Sequence, residues 1–210
     1  MAINNTLQWH LHDLWPDLQF AGSALFYGKW GPQIARRLAR ADQTMRVRIA
    51  RDDLRRIREL TQTIKALEAE IADLVAQVAP HLLTEPGFGA LTAAKLVGEI
   101  AGAQRFSSDA KLARAAGIAP IPASSGKTNR HRLDRGGNRQ INATIHRIAV
   151  TRLRCHPETQ DYIARKRAEG KNTKDAIRCL KRHLTRRIWH LLQAPAPIPD
   201  QTGHTLNLLT

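Results

Sequence analysis

Apolar residues recur at alternating intervals of three and four between Asp52 and Pro80. An a/d heptad pattern of this kind predicts a long helix with one apolar stripe and a charged outer face. Pro80 is expected to end or kink this helix. The pattern leaves two interpretations open, because the helix either lies on its own domain or forms a coiled coil with another chain or helix. The stripe consists of Ile57, Leu60, Ile64, Leu67, Ile71, Leu74 and Val78.

A glycine turn follows Pro80 in the segment LLTEPGFGALTAAKLVGEIAG. Gly87 and Gly89 separate a short helix from a second helix that begins near Ala90, which is the layout of a helix-hairpin-helix. Small residues at such a turn let a phosphate approach the backbone amides at the positive end of the second helix, and Lys95 adds a charge. The same layout also serves as a plain tight connection between helices, so both interpretations remain.

Three more patterns predict helices in the second half of the chain. The segment FSSDAKLARAAG indicates a helix capped by Ser107 or Ser108 and stopped by Gly117. Helix resumes near Asn138, and the apolar positions of a last helix extend to Leu191. The sequence therefore predicts an all-α or nearly all-α fold. It divides into an N-terminal segment 1–51, the heptad helix 52–80, a compact helical domain 81–193 and a Pro-rich tail 194–210.

The positive charge of the chain is concentrated in its second half. The net charge is +15, and between Ala123 and Gln193 there are 18 Lys or Arg against 5 Asp or Glu, which is +13. A polyanion is the natural partner of such a surface, since each neutralised phosphate releases condensed counterions. The sequence shows neither the layout of a signal peptide nor a membrane-spanning apolar run. We therefore expect a cytoplasmic protein that binds nucleic acid and no membrane.

The stretch AGIAPIPASSGKTNRHRLDRGGNRQINATIHR, residues 116–147, contains the most suggestive chemistry. Gly126, Lys127 and Thr128 match the end of a nucleotide-binding loop, but Ile121 replaces the first glycine of such a loop, which argues against it. A second interpretation is a short basic hairpin whose cations contact phosphates. The candidate contacts are Lys127, Arg130, Arg132, Arg135 and Arg139.

A third interpretation of the stretch is a serine that attacks a phosphodiester. A free hydroxyl is a weak nucleophile, so it needs a base or metal to receive its proton and cations to stabilise charge on the phosphoryl group. The arginines and the helix that starts near Asn138 supply positive charge. Asp134 is the one acidic residue in the stretch, so we expect the base to come from elsewhere, from another chain or domain.

Residues 82–192 closely resemble the C-terminal transposase domain of the insertion-sequence "one-ten" family, whose members are also known as bridge-RNA-guided recombinases. The resemblance rests on LTEPGFGALTAAKLVGEIAG, on RGGNRQIN and on the spacing Gly-x-x-Pro-x-x-x-x-Ser-Gly. It implies DNA transposition by site-specific recombination, with Ser125 as the catalytic nucleophile that becomes linked covalently to DNA. It also implies DNA and a guide RNA as partners.

One departure from the family pattern changes this expectation. Complete members begin with a resolvase-like domain whose four acidic metal ligands act together with the serine, whereas this chain begins at the family's middle region. The resemblance therefore implies that 1–51 is a remnant of that region, that the chain is truncated and inactive alone, and that the divalent metal belongs to the missing domain. We expect no metal site or cofactor in this chain. We expect a homo-oligomer or a full-length relative as partner through the heptad helix 57–78. The alternative is a non-catalytic nucleic-acid-binding remnant that regulates such relatives.

Overall fold

The computed structural model describes residues 2–18, 30–124, 131, 132, 134 and 136–193. Over these residues the regular structure is helical apart from one two-stranded sheet, and the expected all-α or nearly all-α fold is confirmed. The helices are α1 (Ala2–Leu14), α2 (Trp30–Arg40), α3 (Met45–Val78), α4 (Pro80–Leu83), α5 (Ala90–Ile100), α6 (Asp109–Ala115), α7 (Arg139–Cys155), α8 (Pro157–Ala168) and α9 (Thr173–Gln193), with a 3-10 turn at Ala103–Arg105. Two short strands, β1 (Ile121–Pro122) and β2 (His131–Arg132), pair antiparallel.

The chain divides into two compact units, Met1–Ala69 and Glu70–Thr210. In the first unit, α1, α2 and the N-terminal part of α3 enclose a small apolar core, because each helix repeats its buried residues at helical spacing. Trp15 and Trp30 pack partly buried against this core, whereas Trp9 is 73% exposed. The buried residues are Leu7, Leu11, Ile34, Leu38, Val47, Ala50, Leu54 and Ile57.

The heptad helix is longer than its sequence pattern indicates. α3 begins at Met45 and not at Asp52, so the division expected at 51/52 falls inside a continuous helix. The apolar stripe changes environment along the helix. Ile57 is buried in the first unit, and Ile71 packs against the core of the second. Between them the stripe is solvent-exposed in the single chain, with Leu60, Ile64 and Leu67 47%, 53% and 51% exposed.

The core of the second unit is built mainly by α5, α6, α7 and α9. α7 contacts α5, α8 and α9, and α9 contacts α6 as well. In α7 and α9, the apolar positions that predicted the helices are the ones that face the core, since a helix buries one face at spacings of three and four. The fully buried side chains include Leu96, Ile100, Leu112, Ile145, Ile148 and Ile188.

Local capping groups fix where the helices next to the hairpin begin and end. The Ser108 hydroxyl oxygen caps α6 by accepting the Lys111 N–H at 3.3 Å. The Asn138 side-chain oxygen caps α7 by accepting the N–H groups of Gln140 and Ile141. Each cap of this kind stabilises a helix by about 1 kcal/mol. The predicted starts of both helices are confirmed, as is the stop at Gly117, whose φ is +64°.

Candidate functional site

A short antiparallel hairpin connects α6 to α7. Ile121 lies opposite Arg132, and Pro122 lies opposite His131. A proline is tolerated here because a two-stranded ribbon consists of edge strands only. The predicted basic hairpin is therefore present. Ser125, Lys127 and Arg130, which lie between the two strands in sequence, and Arg135, which lies between β2 and α7, are outside the described residues.

The two ends of the hairpin segment meet at a narrow neck formed by Gly117 and Gly137. A Cβ built on Gly137 would lie 2.6 Å from the carbonyl carbon of Ala116 and would overlap the Gly117 backbone. The Asn138 N–H donates to the Ala115 carbonyl at 2.7 Å, which joins the same two limbs. Backbones approach this closely only where side chains are absent. Gly137 is therefore required by the packing of the chain on itself.

Asp134 anchors the descending limb of the hairpin. Its side chain is only 8% exposed and forms an ion pair of 2.9 Å with Arg114 of α6. Its other carboxylate oxygen accepts the Gly136 N–H at 3.0 Å. The acidic residue nearest in sequence to Ser125 is thus held by two partners in a structural position.

Asn142 of α7 ties the neck to α9, and sequence reasoning missed it. Its amide group donates two hydrogen bonds of 3.0 Å to the carbonyls of Ala116 and Gly117. Its side-chain oxygen accepts a hydrogen bond from the Lys181 ammonium group. The signal in the sequence was the position of Asn142, which lies between Ile141 and Ile145 next to the apolar stripe of α7. A helix face that only contacts solvent does not require an amide at that position.

The segment for which the sequence suggested a helix-hairpin-helix folds into the single turn α4, the connection 84–89 and α5. Gly87 has a φ of +81° and faces α7, because a Cβ there would lie 2.6 Å from the Arg152 Cγ. Gly89 faces open space, and its N–H donates to the Thr92 hydroxyl at 2.9 Å. Lys95 is exposed on α5. Packing alone accounts for glycine at position 87, whereas no described residue packs over position 89 and its N–H is engaged by Thr92.

The same connection carries a carboxylate that binds it to the rest of the unit. The Glu85 side chain, 13% exposed, accepts hydrogen bonds of 2.9 and 2.7 Å from Arg187 of α9 and lies 3.5 Å from Arg152 of α7. Sequence reasoning missed this contact, since residues 85 and 187 are far apart along the chain.

The remaining predicted contacts, Arg132 and Arg139, are solvent-exposed on β2 and at the first position of α7. A cation at a helix N-terminus is not favoured by the helix dipole, so helix stability does not explain Arg139. Over the described ranges there is no group of three or more His, Cys, Asp or Glu side chains suited to hold a metal ion. None of the helices in the same ranges is long and apolar enough to cross a membrane.

Residues 79–164, which include the hairpin, its neck, all of α7 and most of α8, match the family model described as Transposase IS116/IS110/IS902 family. The chain is 36% identical over 121 residues to the 43.6 kDa protein of insertion element IS110 from Streptomyces coelicolor, covering 56% of this chain and 30% of the relative. It is 29% identical over 148 residues to the 42 kDa protein of IS900 from Mycobacterium paratuberculosis, with coverages of 65% and 37%. It is 27% identical over 161 residues to the 44.8 kDa protein of IS116 from Streptomyces clavuligerus, with coverages of 69% and 40%. The chain thus spans well under half the length of these relatives.

Proposed function

Because this chain belongs to the IS116/IS110/IS902 transposase family through residues 79–164, we propose that it is the DNA-binding part of an insertion-sequence transposase with Ser125 as nucleophile. The observation that carries the proposal is that the family match covers the whole hairpin segment and the neck at Gly117 and Gly137. The neck holds both ends of that segment together, so the part of the chain that contains Ser125 begins and ends at one fixed place.

In the proposed reaction the Ser125 hydroxyl oxygen attacks the phosphorus of a DNA phosphodiester. A serine–phosphate ester forms as the bond to one deoxyribose oxygen breaks. The proton lost by the serine passes to a base, and the leaving deoxyribose oxygen takes up a proton and is released as a hydroxyl group. Arg132 and Arg139, together with Lys127, Arg130 and Arg135 of the same segment, offset the negative charge that develops on the phosphoryl group. The base comes from another chain or domain, because Asp134 is already engaged by Arg114 and Gly136.

The divalent metal that the family resemblance implies does not fit the described part of this chain, since no suitable cluster of ligands occurs there. No step of the proposed reaction on these residues is routed through a metal. The metal, like the base, belongs to a partner domain in this proposal.

The excess positive charge supports DNA as the partner. The net charge of +13 between Ala123 and Gln193 provides the sequence-independent part of the affinity, with the exposed Lys95 of α5 as a further phosphate contact. Gly89 leaves space for a phosphate to approach, although its own N–H is already bound to the Thr92 hydroxyl. We expect the affinity for duplex DNA to fall steeply as the salt concentration rises. Affinity that does not change with salt would contradict the proposal.

A complementation experiment tests the role of Ser125. The chain is mixed with DNA and a full-length relative whose own nucleophilic serine has been replaced by alanine, and covalent protein–DNA adducts are separated under denaturing conditions. An adduct of the 23.5 kDa chain that persists in Ser124→Ala and disappears in Ser125→Ala supports the proposal. If the chain binds DNA and the relative but forms no adduct, Ser125 is not the nucleophile.

The second candidate function is a non-catalytic nucleic-acid-binding protein that assembles with itself or with full-length relatives. It is favoured by the exposed stripe of α3, in which Leu60, Ile64, Leu67 and Leu74 are each about half exposed. Burying such side chains in a coiled coil removes apolar surface from water and so stabilises the assembly relative to the single chain. Under either candidate function a guide RNA is a further proposed partner. Competition between RNA and DNA for the basic surface tests this proposal.

A further inference from the structure

A basic cleft of about 690 Å³ opens in the second unit beside the neck of the hairpin. Its walls come from the loop after α6, from β2, from α8 and from α9. The volume lies in the range of ligand-binding clefts. Six cationic side chains line it against two carboxylates: Arg132, Lys166, Lys171, Arg178, Lys181 and Arg182 against Asp134 and Asp175.

The carboxylates in and around the cleft are already committed to partners. Asp134 pairs with Arg114, and Asp175 pairs with Arg178 at 2.6 Å. Outside the lining, Glu169 and Asp109 pair with Lys166 and Arg182. For Arg132, Lys171 and Lys181 there is no ion pair with any residue that the structure describes. The cleft therefore has a surplus of positive charge.

Lys181 is the most constrained of these three cations. Its ammonium group is partly buried and donates to the Asn142 side-chain oxygen, which is neutral and cannot compensate its charge. Burial, together with the neighbouring Arg178, lowers the pKa of Lys181 to about 8. A partly buried ammonium without a counter-charge costs free energy, and an anion from outside the chain would offset that cost. Asn142 also holds the carbonyls of Ala116 and Gly117, so this charge is fixed next to the neck.

The ring of Tyr162 in the cleft wall already contacts two neighbouring side chains. It packs edge-on against His183, with 5.3 Å between the ring centroids, and Lys166 lies over it at 5.7 Å from the centroid. Recognition of a base in a single strand commonly uses a free aromatic face. The lining therefore favours the sugar–phosphate backbone over the bases, because backbone contacts require cations spread over several elements.

We propose that this cleft binds a phosphodiester group of the DNA strand on which the hairpin acts, with Lys181 and Arg132 as its principal contacts. The proposal rests on the proposed function for the identity of the polynucleotide. It adds a phosphate site formed by α9 and β2. Lys181 is hydrogen-bonded to Asn142, and Asn142 is hydrogen-bonded to the neck, so a phosphate bound at this site would orient the strand relative to the hairpin.

Fluorescence anisotropy with a short labelled duplex tests the site in the full chain. Lys181→Met and Arg132→Gln are each expected to weaken binding about tenfold and to reduce the slope of log affinity against log salt by about 1. Arg154→Gln removes an exposed cation of α7 outside the cleft and serves as the matched control, with a smaller effect expected. Lys181→Met keeps the apolar stem and removes a charge that burial disfavours, so its melting temperature should equal or exceed that of the wild type. Lost binding without lost stability then identifies a ligand contact.

A second measurement separates failure of the site from failure of the proposed function. Inorganic phosphate is titrated into the chain while the Asn142 side-chain amide is followed by NMR, with Lys181→Met as control. If wild type binds DNA but Lys181→Met does not weaken it, the phosphate site is wrong while DNA binding stands, whatever the effect of Arg132→Gln, because Arg132 also serves the proposed reaction. If wild type binds no DNA, the proposed function fails. A phosphate-dependent change in the Asn142 amide signal that Lys181→Met abolishes would then still support an anion site in the cleft. The absence of any such change would overturn the anion site. Competition by inorganic phosphate as effective as by duplex DNA would identify a free-phosphate site and overturn the assignment to a DNA strand.

Discussion

The backbone of Gly137 lies directly against the backbone of Gly117, at the point where the chain leaves and enters the hairpin. The hydrogen bond from the Asn138 N–H to the Ala115 carbonyl joins the same two limbs. Asn142 adds two hydrogen bonds to the ascending limb, and Asp134 fixes the descending limb to Arg114. The segment that contains Ser125 is therefore held at its base by groups of α6 and α7, so changes at this neck should alter both stability and function.

Replacement of Gly137 by alanine tests this packing. The new methyl group would overlap the Gly117 backbone, which cannot move without separating the two limbs. We expect the free energy of unfolding to fall by about 2–3 kcal/mol, as for other overpacked sites, in urea denaturation. Gly136→Ala is the control, since its nearest contact is the Asp134 carboxylate at an ordinary 3.5 Å. Equal stability of the two variants would show that the neck is not close-packed.

Replacement of Glu85 by alanine tests the tie between the connection 84–89 and α7 and α9. The change leaves the Arg152 guanidinium group, 14% exposed, without its carboxylate and removes both hydrogen bonds from Arg187. We expect the free energy of unfolding to fall by about 2–3 kcal/mol, because hydrogen bonds to buried charged groups are lost. Glu169→Gln removes a half-exposed carboxylate paired with Lys166 and should cost much less, because solvent screens an exposed ion pair. A loss at Glu85 as small as this would contradict the predicted tie.

The features that the sequence predicted correctly are those encoded by neighbouring residues. Asn138 and Ser108 cap helices by accepting N–H groups two or three residues away. Periodic apolar positions likewise identify α7 and α9, whatever these helices pack against. The start of α3 was placed too late because the charged run from Arg46 to Arg56 obscured its apolar positions. Val47, Ala50 and Leu54 continue the spacing of three and four that leads to Ile57.

The features that the sequence did not predict arise from contacts between distant residues. Glu85 and Arg187, or Asn142 and Lys181, are brought together only by the packing of α7 and α9. No local pattern distinguishes Lys181 from the other cations of α9, because its environment depends on the neck and on Arg178. Glycine is likewise needed at position 87 because Arg152 packs there, and at position 137 because the Gly117 backbone lies against it.

The exposed stripe of α3 predicts self-association of the chain. Leu67 is 51% exposed on a surface of the helix that carries Leu60, Ile64 and Leu74 at similar exposures. We expect a concentration-dependent mass in sedimentation equilibrium, and we expect Leu67→Glu to shift the chain toward monomer because a carboxylate is costly to bury in the seam. Gln62→Glu introduces the same charge on the opposite side of α3 and should leave the mass unchanged. A strict monomer in the wild type, at all concentrations, would contradict an interface between copies of this chain.

The lowered pKa of Lys181 predicts opposite pH dependences for stability and DNA binding. The pKa is about 8 in the folded chain, against 10.5 for an unperturbed lysine. Between these pH values the unfolded chain holds more protons at this position than the folded chain, so the contribution of Lys181 to the free energy of unfolding rises with pH. Over the same window the folded chain loses the ammonium charge that we assign to a DNA phosphate, so the affinity for DNA should fall. Urea denaturation and anisotropy compared between wild type and Lys181→Met isolate this one group, because the other lysines titrate in both proteins. An affinity difference between the two proteins that stays constant above pH 8 would mean that the Lys181 charge does not contribute to binding.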